Sequence, residues 1–431
     1  GNQQENKVPS MQSGADSQAS LSFAKLLKLL GPGVLMATAA IGGSHLVAST
    51  QAGAKFGWQL ALLILAVNLF KYPFFRAGVS YTICSNKTLQ QGYLTMGKPY
   101  LLMSFALNGI SSFVNAAALL LFSASLLGYF IPFDVALPWL AAVLLIVSLV
   151  ILLAGHYHAL NQVAKVIMIA LVIATISATV IAWQQGPVAP AEFESPSPWT
   201  LAAIGFLVVT MGWMPAPIEI SGITSLWLKE QCHEAKVTPQ SALFDFNLGY
   251  LVTLLLALMF LALGSLVLHG SGQELASGGI GFSHQLVDLY ASTIGEWSRY
   301  LIAVIAFLCI FGSAITVYDG YSRALAECYT LLKGKQDVSD SVFAVWLLLV
   351  AAASFAMVLF FQSALLAMLG FAMTLAFMTT PVFAWLNYRL VNRHDIPESL
   401  RGGPVVLWLS RAGLVYLFGF LIVFIIWKWF L

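Results

Sequence analysis

The sequence contains GPGVLMATAAIGGSHLVAST (residues 31–50), an apolar stretch interrupted near its middle by glycines and polar side chains. A second stretch of this kind is LVVTMGWMPAPIEISGITSL (residues 207–226), which glycine and proline interrupt. Each belongs to an apolar run long enough to span a bilayer, where non-helical backbone is tolerated only if protein or a cavity surrounds it. Interrupted spans in corresponding halves of a chain point to a transporter's substrate site. The two stretches therefore predict solute translocation, with the chemistry near residues 42–45 and 211–219.

The composition is that of an integral membrane protein. Of the 431 residues, 59% are hydrophobic and 9% are charged, whereas soluble domains carry about 25% charged residues. The net charge of +2 gives no reason to expect a nucleic-acid partner. The four cysteines show no CxxC spacing, which argues against a zinc site or disulfides. The chain also has no Walker A motif, so we do not expect an ATP-driven pump. As a transporter it is expected not to be an enzyme and to need no cofactor.

Eleven segments are apolar and long enough to be candidate spanning helices. They are roughly 25–55, 58–84, 99–130, 136–155, 159–184, 199–228, 239–269, 294–332, 342–361, 364–390 and 406–430. Residues 1–22 are polar, lack the apolar core of a signal peptide, and are expected to form a disordered tail.

The basic residues predict the orientation of the chain. If the N-terminus is cytoplasmic, all Lys and Arg except Lys55, Arg299 and Lys428 fall on the cytoplasmic side, as cytoplasmic loops require. With eleven spans, the C-terminus lies outside. We expect a monomer in the plasma (inner) membrane, with the lipid bilayer and a small ion or solute as its partners.

The interrupted spans are the first and the sixth, so they hold the same place in two successive five-helix units. These units are residues 23–185 and 199–391, and residues 404–431 form an eleventh helix outside them. An odd number of spans per unit inverts the second unit, which is the arrangement of the LeuT-type fold. The repeat is inferred from the positions of the two breaks alone.

Three motifs carry a resemblance to a known family: LLKLLGPGVLMATAAI before the first break, QAGAKFGW (51–58) after it, and VTMGWMPAPIEISG (209–222) around the second. In these motifs and in its hydropathy pattern the chain resembles the natural resistance-associated macrophage protein (Nramp) family of divalent-metal transporters. The resemblance implies a LeuT-type fold, alternating access and metal transport.

The chain departs from the family at the metal site. The family's first span reads Asp-Pro-Gly-Asn, and here the aligned residues are Gly42, Gly43, Ser44 and His45. The resemblance implies that Met214 keeps the thioether ligand and that Met211 takes the place of a carbonyl-donating alanine. The family's histidine after Met-Pro is Ala216, and residues 99–131 contain none of the acids that the third span normally carries. We therefore expect weakened or absent proton coupling of the family's kind.

Glu219, about one turn beyond Met214-Pro215, is the carboxylate available near the breaks. Mn²⁺ and Fe²⁺ take oxygen or imidazole ligands, and an uncompensated charge is costly to bury. His45 and Met214 are the candidate metal ligands. We predict that His45 is essential for recognition, although a structural histidine at a helix break is the alternative.

Other polar residues in the spans have simpler interpretations. Asp319, Arg323 and Glu327 share one helical face and can pair, which predicts a structural ion pair or an intracellular gate. Asp245 is interpreted as a solvated helix end, with an inner gate as the alternative. Lys71 lies near the inner end of the second span, where a long basic side chain can snorkel to the interface.

Three functional hypotheses follow. The first is transport of a divalent transition metal ion through an altered site, as the resemblance implies. The second is transport of a small organic solute, which the missing carboxylate favours. The third is a membrane sensor that has lost transport, although such a protein has little use for two costly helix breaks.

Overall fold

The structure is a computed structural model that describes residues 22–276, 278–393 and 395–430. Apart from Ser22, the predicted tail of residues 1–22 lies outside the described residues. The described part of the chain is helical and contains no β-strand. The helices of its first half are α1 (Phe23–Lys28), α2 (Pro32–Ala40), α3 (Thr50–Phe56), α4 (Ala61–Ser85), α5 (Leu89–Met96), α6 (Lys98–Leu127), α7 (Leu137–Ala154) and α8 (His156–Gln185).

The second half continues the same all-helical pattern. Its helices are α9 (Ile204–Trp213), α10 (Glu219–Glu234), α11 (Pro239–Leu263), α12 (Gly279–Ile294), α13 (Arg299–Leu332), α14 (Asp340–Phe360), α15 (Gln362–Val391) and α16 (Gly403–Phe430). Two π-helical segments, Ser44–Ser49 and Gly264–Leu268, lead into α3 and extend α11.

Eight helices are long and apolar enough to cross a membrane: α4, α6, α7, α8, α11, α13, α14 and α16. The bent pair formed by α2 and residues 44–56 raises the number to nine among the described residues. The predicted sixth span corresponds to α9 and α10 together, and the predicted tenth span corresponds to α15. These helices are not among the nine candidate spans. The predicted class, an all-helical membrane protein, is confirmed, while the count of eleven spans and the inverted repeat stay predictions.

The interrupted helices lie at the centre of the bundle. The half-helix α2 packs against α11 and α13, α10 packs against α4 and α13, and α2 and α10 also touch each other. α13 runs along α6 and is the most buried of the eight spans, whereas α16 is the least buried. The helix breaks are therefore enclosed by other spans, as non-helical backbone at membrane depth requires.

The crossing of α2 and α11 depends on glycine. A Cβ atom on Gly33 would lie 2.2 Å from the carbonyl oxygen of Asp245, and one on Gly249 would lie 2.3 Å from the carbonyl oxygen of Gly33. Small residues let spanning helices approach closely in this way. The close approach brings the side chains of α11 within reach of the N-terminus of α2.

Candidate functional site

The first span is broken where the sequence predicts. α2 ends at Ala40, the next helical segment begins at Ser44, and the chain bends by 52° between them. The Ser44 hydroxyl lies 2.7 Å from the carbonyl oxygen of Ala40 and 3.2 Å from that of Pro215. The first break therefore contacts the second directly through Ser44.

His45 is fully buried beside this break, and both of its ring nitrogens have protein partners. Nε2 lies 2.8 Å from the carbonyl oxygen of Thr253 on α11, and Nδ1 lies 2.9 Å from the Ser44 hydroxyl. A carbonyl oxygen only accepts, so Nε2 carries a hydrogen and donates it to Thr253, while Nδ1 faces the Ser44 hydroxyl. A metal ion could reach Nδ1 only by displacing Ser44.

The two glycines of the first break differ in the space around them. A Cβ atom on Gly42 would lie 2.8 Å from Oγ and 2.9 Å from Cβ of Ser313 on α13. A Cβ atom on Gly43 would meet nothing within 4 Å. Gly42 is thus closed in by α13, while the adjacent position, Gly43, is open.

We predict that Gly42→Asp alone destabilises the protein, because overpacking an interior costs about 1–3 kcal/mol. Thermal unfolding of the purified protein in detergent measures the effect. Gly43→Asp is the matched control and should unfold near the wild-type temperature, and Ser313→Gly should rescue Gly42→Asp. Equal unfolding temperatures for the two aspartate variants would contradict the steric interpretation.

The sixth span is also interrupted as predicted. α9 ends at Trp213, α10 begins at Glu219, and residues 214–218 between them are not helical. The Met214 side chain is fully buried in an apolar cluster with residues of α3 and α4, including Phe56 and Ile64. The side chain of Met211 lies outside the part of the chain that the structure describes. In this conformation the Met214 thioether therefore serves packing.

Lys71 of α4 is buried at this second break and does not reach the inner membrane interface, contrary to the prediction from its position in the sequence. Its ammonium group donates hydrogen bonds to the carbonyl oxygens of Gly212 (2.9 Å) and Met214 (2.6 Å). The last carbonyls of a helix lack intrahelical partners and form the negative end of its dipole. Lys71 thus brings a positive charge to a half-helix end of the kind that coordinates cations in other transporters.

Glu219 begins α10 and is 7% exposed. Its Oε1 accepts a hydrogen bond from the hydroxyl of Tyr321 on α13. Its Oε2 is buried without a hydrogen-bond partner among the described residues, and the Ser111 hydroxyl of α6 is a further polar group that interacts with the carboxyl. A buried carboxyl oxygen without a partner is costly, so Glu219 offers an open acceptor to a cation, a proton or a polar solute.

Asp245 is buried, which corrects the interpretation of a solvated helix end. Its carboxyl oxygens accept hydrogen bonds from the backbone amides of Gly31 (3.1 Å) and Gly33 (2.7 Å) at the N-terminus of α2. Two side-chain amides hold the residues that precede α2. Gln231 of α10 donates a hydrogen bond to the carbonyl oxygen of Leu29, and Asn161 of α8 donates one to that of Leu30. These contacts attach α2 to three neighbouring helices in this conformation.

The three residues Asp319, Arg323 and Glu327 of α13 separate into an ion pair and an acid outside it. Arg323 forms an ion pair with Asp319 at 2.7 Å, and Asp319 also accepts a hydrogen bond from the Trp227 indole. Glu327 lies on the same face, but its Oε1 is buried without a hydrogen-bond partner in the described chain. The structure thus brings Asp319 and Arg323 together and leaves Glu327 outside the pair.

Sequence reasoning missed Lys71 and the contact of Asp245 with α2. The signal for Lys71 was present, because an ionisable residue within a spanning segment is a functional candidate by default. The signal for Asp245 was weaker, because its partners are backbone amides more than 200 residues away. Of the candidate metal ligands, His45 has protein partners at both nitrogens and Met214 is packed. Among the described residues, no group of three His, Cys, Asp or Glu could hold a metal ion.

Comparisons with known proteins agree with this architecture. The chain is 50% identical over 401 residues to "Uncharacterized protein PM0681" of Pasteurella multocida (strain Pm70), covering 92% of this chain and 91% of that protein. No protein-family model matches the chain. A structure of a mutant of the Eremococcus coleocola manganese transporter matches with a TM-score of 0.67 at 12% identity, covering 94% of this chain and 87% of the other.

A second structure of that transporter, in complex with an aromatic bis-isothiourea substituted compound, matches with a TM-score of 0.66 at 11% identity. It covers 93% of this chain and 86% of the other. The structural similarity confirms the predicted Nramp-like fold over nearly the whole described length.

Proposed function

We propose that this chain, which belongs to the same family as protein PM0681 of Pasteurella multocida, is a secondary active transporter of a divalent transition metal ion. The ion is of the manganese or iron kind and passes through an altered site at the two helix breaks. Enclosed breaks in a bundle of spanning helices support transport. The fold shared with a manganese transporter supports a metal as the solute.

The observation that carries this proposal is Glu219 at the second break. Its buried Oε2 lacks a partner in the described structure, and a positively charged ligand would provide one. The proposed site comprises Gly42, Gly43, Ser44 and His45 at the first break, together with Met211, Met214 and Glu219 at the second. Glu219 supplies the negative charge, and His45 or Met214 would become a ligand only after leaving its present contacts.

A small organic solute is the alternative, and a specific observation favours it. The His45 nitrogens are paired, the Met214 thioether is packed, and Lys71 already donates to carbonyls at the second break. A polar organic molecule could use Glu219 and Ser44 as hydrogen-bonding groups without needing several metal ligands.

A ligand screen on the purified protein distinguishes these functions. Thermal unfolding would be followed with Mn²⁺, Fe²⁺, Cd²⁺, Mg²⁺ and a panel of small metabolites. A ligand at 100 times its Kd stabilises the folded state by about 2.7 kcal/mol. We expect stabilisation by Mn²⁺ or Fe²⁺ and uptake of the same ion into proteoliposomes. Stabilisation by a metabolite alone would replace the metal with the organic solute, and no response at all would favour a sensor.

We predict weak or absent proton coupling of the family's kind. The third span, residues 99–131, has no acidic residue, Gly42 aligns with the family's aspartate, and Ala216 aligns with its histidine. Proteoliposomes with a trapped pH-sensitive dye would report proton entry during Mn²⁺ uptake. A standard Nramp protein in parallel liposomes is the control, and acidification as strong as in that control would refute the prediction.

We further propose the orientation that the basic residues predict, with the N-terminus cytoplasmic, the C-terminus outside, and two inverted five-helix units at 23–185 and 199–391. A reporter active only in the cytoplasm, fused after Leu431, should be inactive. The same reporter at the N-terminus should be active and is the matched control. Activity of the C-terminal fusion would mean that the number of spans is even.

A further inference from the structure

A polar cavity lies away from the helix breaks, at the end of the bundle that the charge distribution predicts to be cytoplasmic. Its volume is about 400 Å³. Its walls come from the C-terminal half of α10, the C-terminal part of α13, the segment that joins α13 to α14, and the first residues of α5 and α8. It is therefore bounded by one interrupted span and by several helices that do not contain a break.

The wall of this cavity is rich in carboxylates. Glu230, Glu234, Glu327, Asp337 and Asp340 line it. Lys229 lies close enough to Glu327 to favour its charged form, while Asp337 and Glu230 lie close enough to repel that charge. Three carboxylates thus face a common space from α10, from α13 and from the segment after α13.

The two cationic side chains of the cavity are engaged with other groups. Arg323 is held by Asp319 at 2.7 Å, and Glu230 lies 3.6 Å from it. Lys229 donates to the carbonyl oxygen of Asn86 at 2.7 Å and to its side-chain oxygen at 3.2 Å. Neither cation lies within ion-pair distance of Glu327 in the described structure, and Lys229 acts on the Glu327 charge only from farther away.

Glu327 is the group that points to a ligand. The residue is 6% exposed, and its Oε1 is buried without a hydrogen-bond partner among the described residues. A buried acidic oxygen without a donor is costly unless a bound species supplies the missing interaction. The residue lines a cavity large enough for a hydrated ion.

We propose that this cavity is a binding site for a hydrated divalent cation, held by Glu327 together with Glu230 and Asp337. No three acidic, His or Cys side chains of the described chain stand close enough to ligate a bare ion. A small hard cation such as Mg²⁺ keeps several of its waters and uses only one or two carboxylates. The site does not depend on which solute crosses at the helix breaks. Occupancy would connect α10, which begins directly after the second break, to α13 and to the segment between α13 and α14.

Cys232 on α10 provides a local probe for this site, because it is the exposed member of the four cysteines. Cys84 is partly exposed, and Cys309 and Cys328 are buried. The experiment uses the full chain with the substitution Cys84→Ser and a nitroxide spin label attached to Cys232. Mn²⁺ is titrated into this protein, and the broadening of the nitroxide spectrum reports how close the bound ion lies to the label. Glu219 begins the same helix about 20 Å away along the axis, so an ion at the cavity broadens the signal more than an ion at the break.

In the labelled protein without further substitutions, the broadening should saturate as Mn²⁺ is added. Excess Mg²⁺ should reverse the broadening, whereas NaCl at the same ionic strength should not. Glu327→Gln should raise the Mn²⁺ concentration for half-broadening by about 10-fold or more, as losing a carboxylate at a metal site does. Asp337→Asn changes an exposed residue, cannot unfold the protein through its core, and should raise that concentration to a smaller extent. Glu192→Gln, an exposed acid outside the cavity, is the matched control and should change nothing.

Unchanged broadening in both Glu327→Gln and Asp337→Asn would overturn the proposal. The proposal would also be overturned if NaCl displaced Mn²⁺ as effectively as Mg²⁺ does. That result would mean that Mn²⁺ is attracted only by the general negative charge of the surface, which salt screens. Glu219→Gln separates the two sites. It should abolish binding at the breaks and leave the Cys232 signal intact, so failure of the proposed transport function and failure of this site give different results.

Discussion

Glu219→Gln is expected to reduce Mn²⁺ uptake into proteoliposomes by about 10-fold to 100-fold, the range for lost groups at metal sites. The substitution keeps the side-chain shape and an oxygen that can accept the Tyr321 hydrogen bond, so the fold should be retained. It removes the negative charge from the second helix break. A neutral amide cannot offset the charge of a cation that leaves water.

Two matched variants sharpen this result. Glu192→Gln alters an exposed acid and should leave uptake unchanged. Tyr321→Phe removes the hydroxyl that holds Oε1 but keeps the carboxylate, and should reduce uptake less than Glu219→Gln does. Full uptake by Glu219→Gln, in protein that elutes as a single folded species, would remove Glu219 from the transport site.

His45→Ala is expected to lower both stability and uptake. The side chain is fully buried and joins the first break to the Thr253 carbonyl. Large-to-alanine changes in packed interiors cost about 2–5 kcal/mol. Thermal unfolding measures the first effect and proteoliposome uptake of Mn²⁺ measures the second.

His45→Gln separates recognition from structure. Glutamine keeps an amide donor for the Thr253 carbonyl but has no imidazole to offer a solute. We expect His45→Gln to recover much of the stability lost in His45→Ala while uptake stays low. If glutamine restores stability and uptake together, His45 is a structural residue and the predicted role in recognition is wrong.

Much of the architecture was readable from local sequence. Apolar length predicts most of the long helices, because a helix in lipid must satisfy its own backbone. Gly42-Gly43 and Met214-Pro215 predict the two breaks, since glycine and proline disfavour a continuous helix wherever the chain folds. The helix breaks at residues 41–43 and 214–218 agree with these predictions. The Asp319–Arg323 pair was also predictable, because its spacing is local to one helix face.

The tertiary structure alone decided the partners of the buried polar groups. Lys71 reaches carbonyls at residues 212 and 214, Asp245 reaches amides at residues 31 and 33, and Ser313 closes the space beside Gly42. Periodicity reports which face of a helix is apolar, but not which distant backbone group a charged side chain meets. The open acceptors of Glu219 and Glu327 follow from the same cause. Whether a buried oxygen has a donor depends on how α10 and α13 pack against their neighbours, and no local pattern encodes that packing.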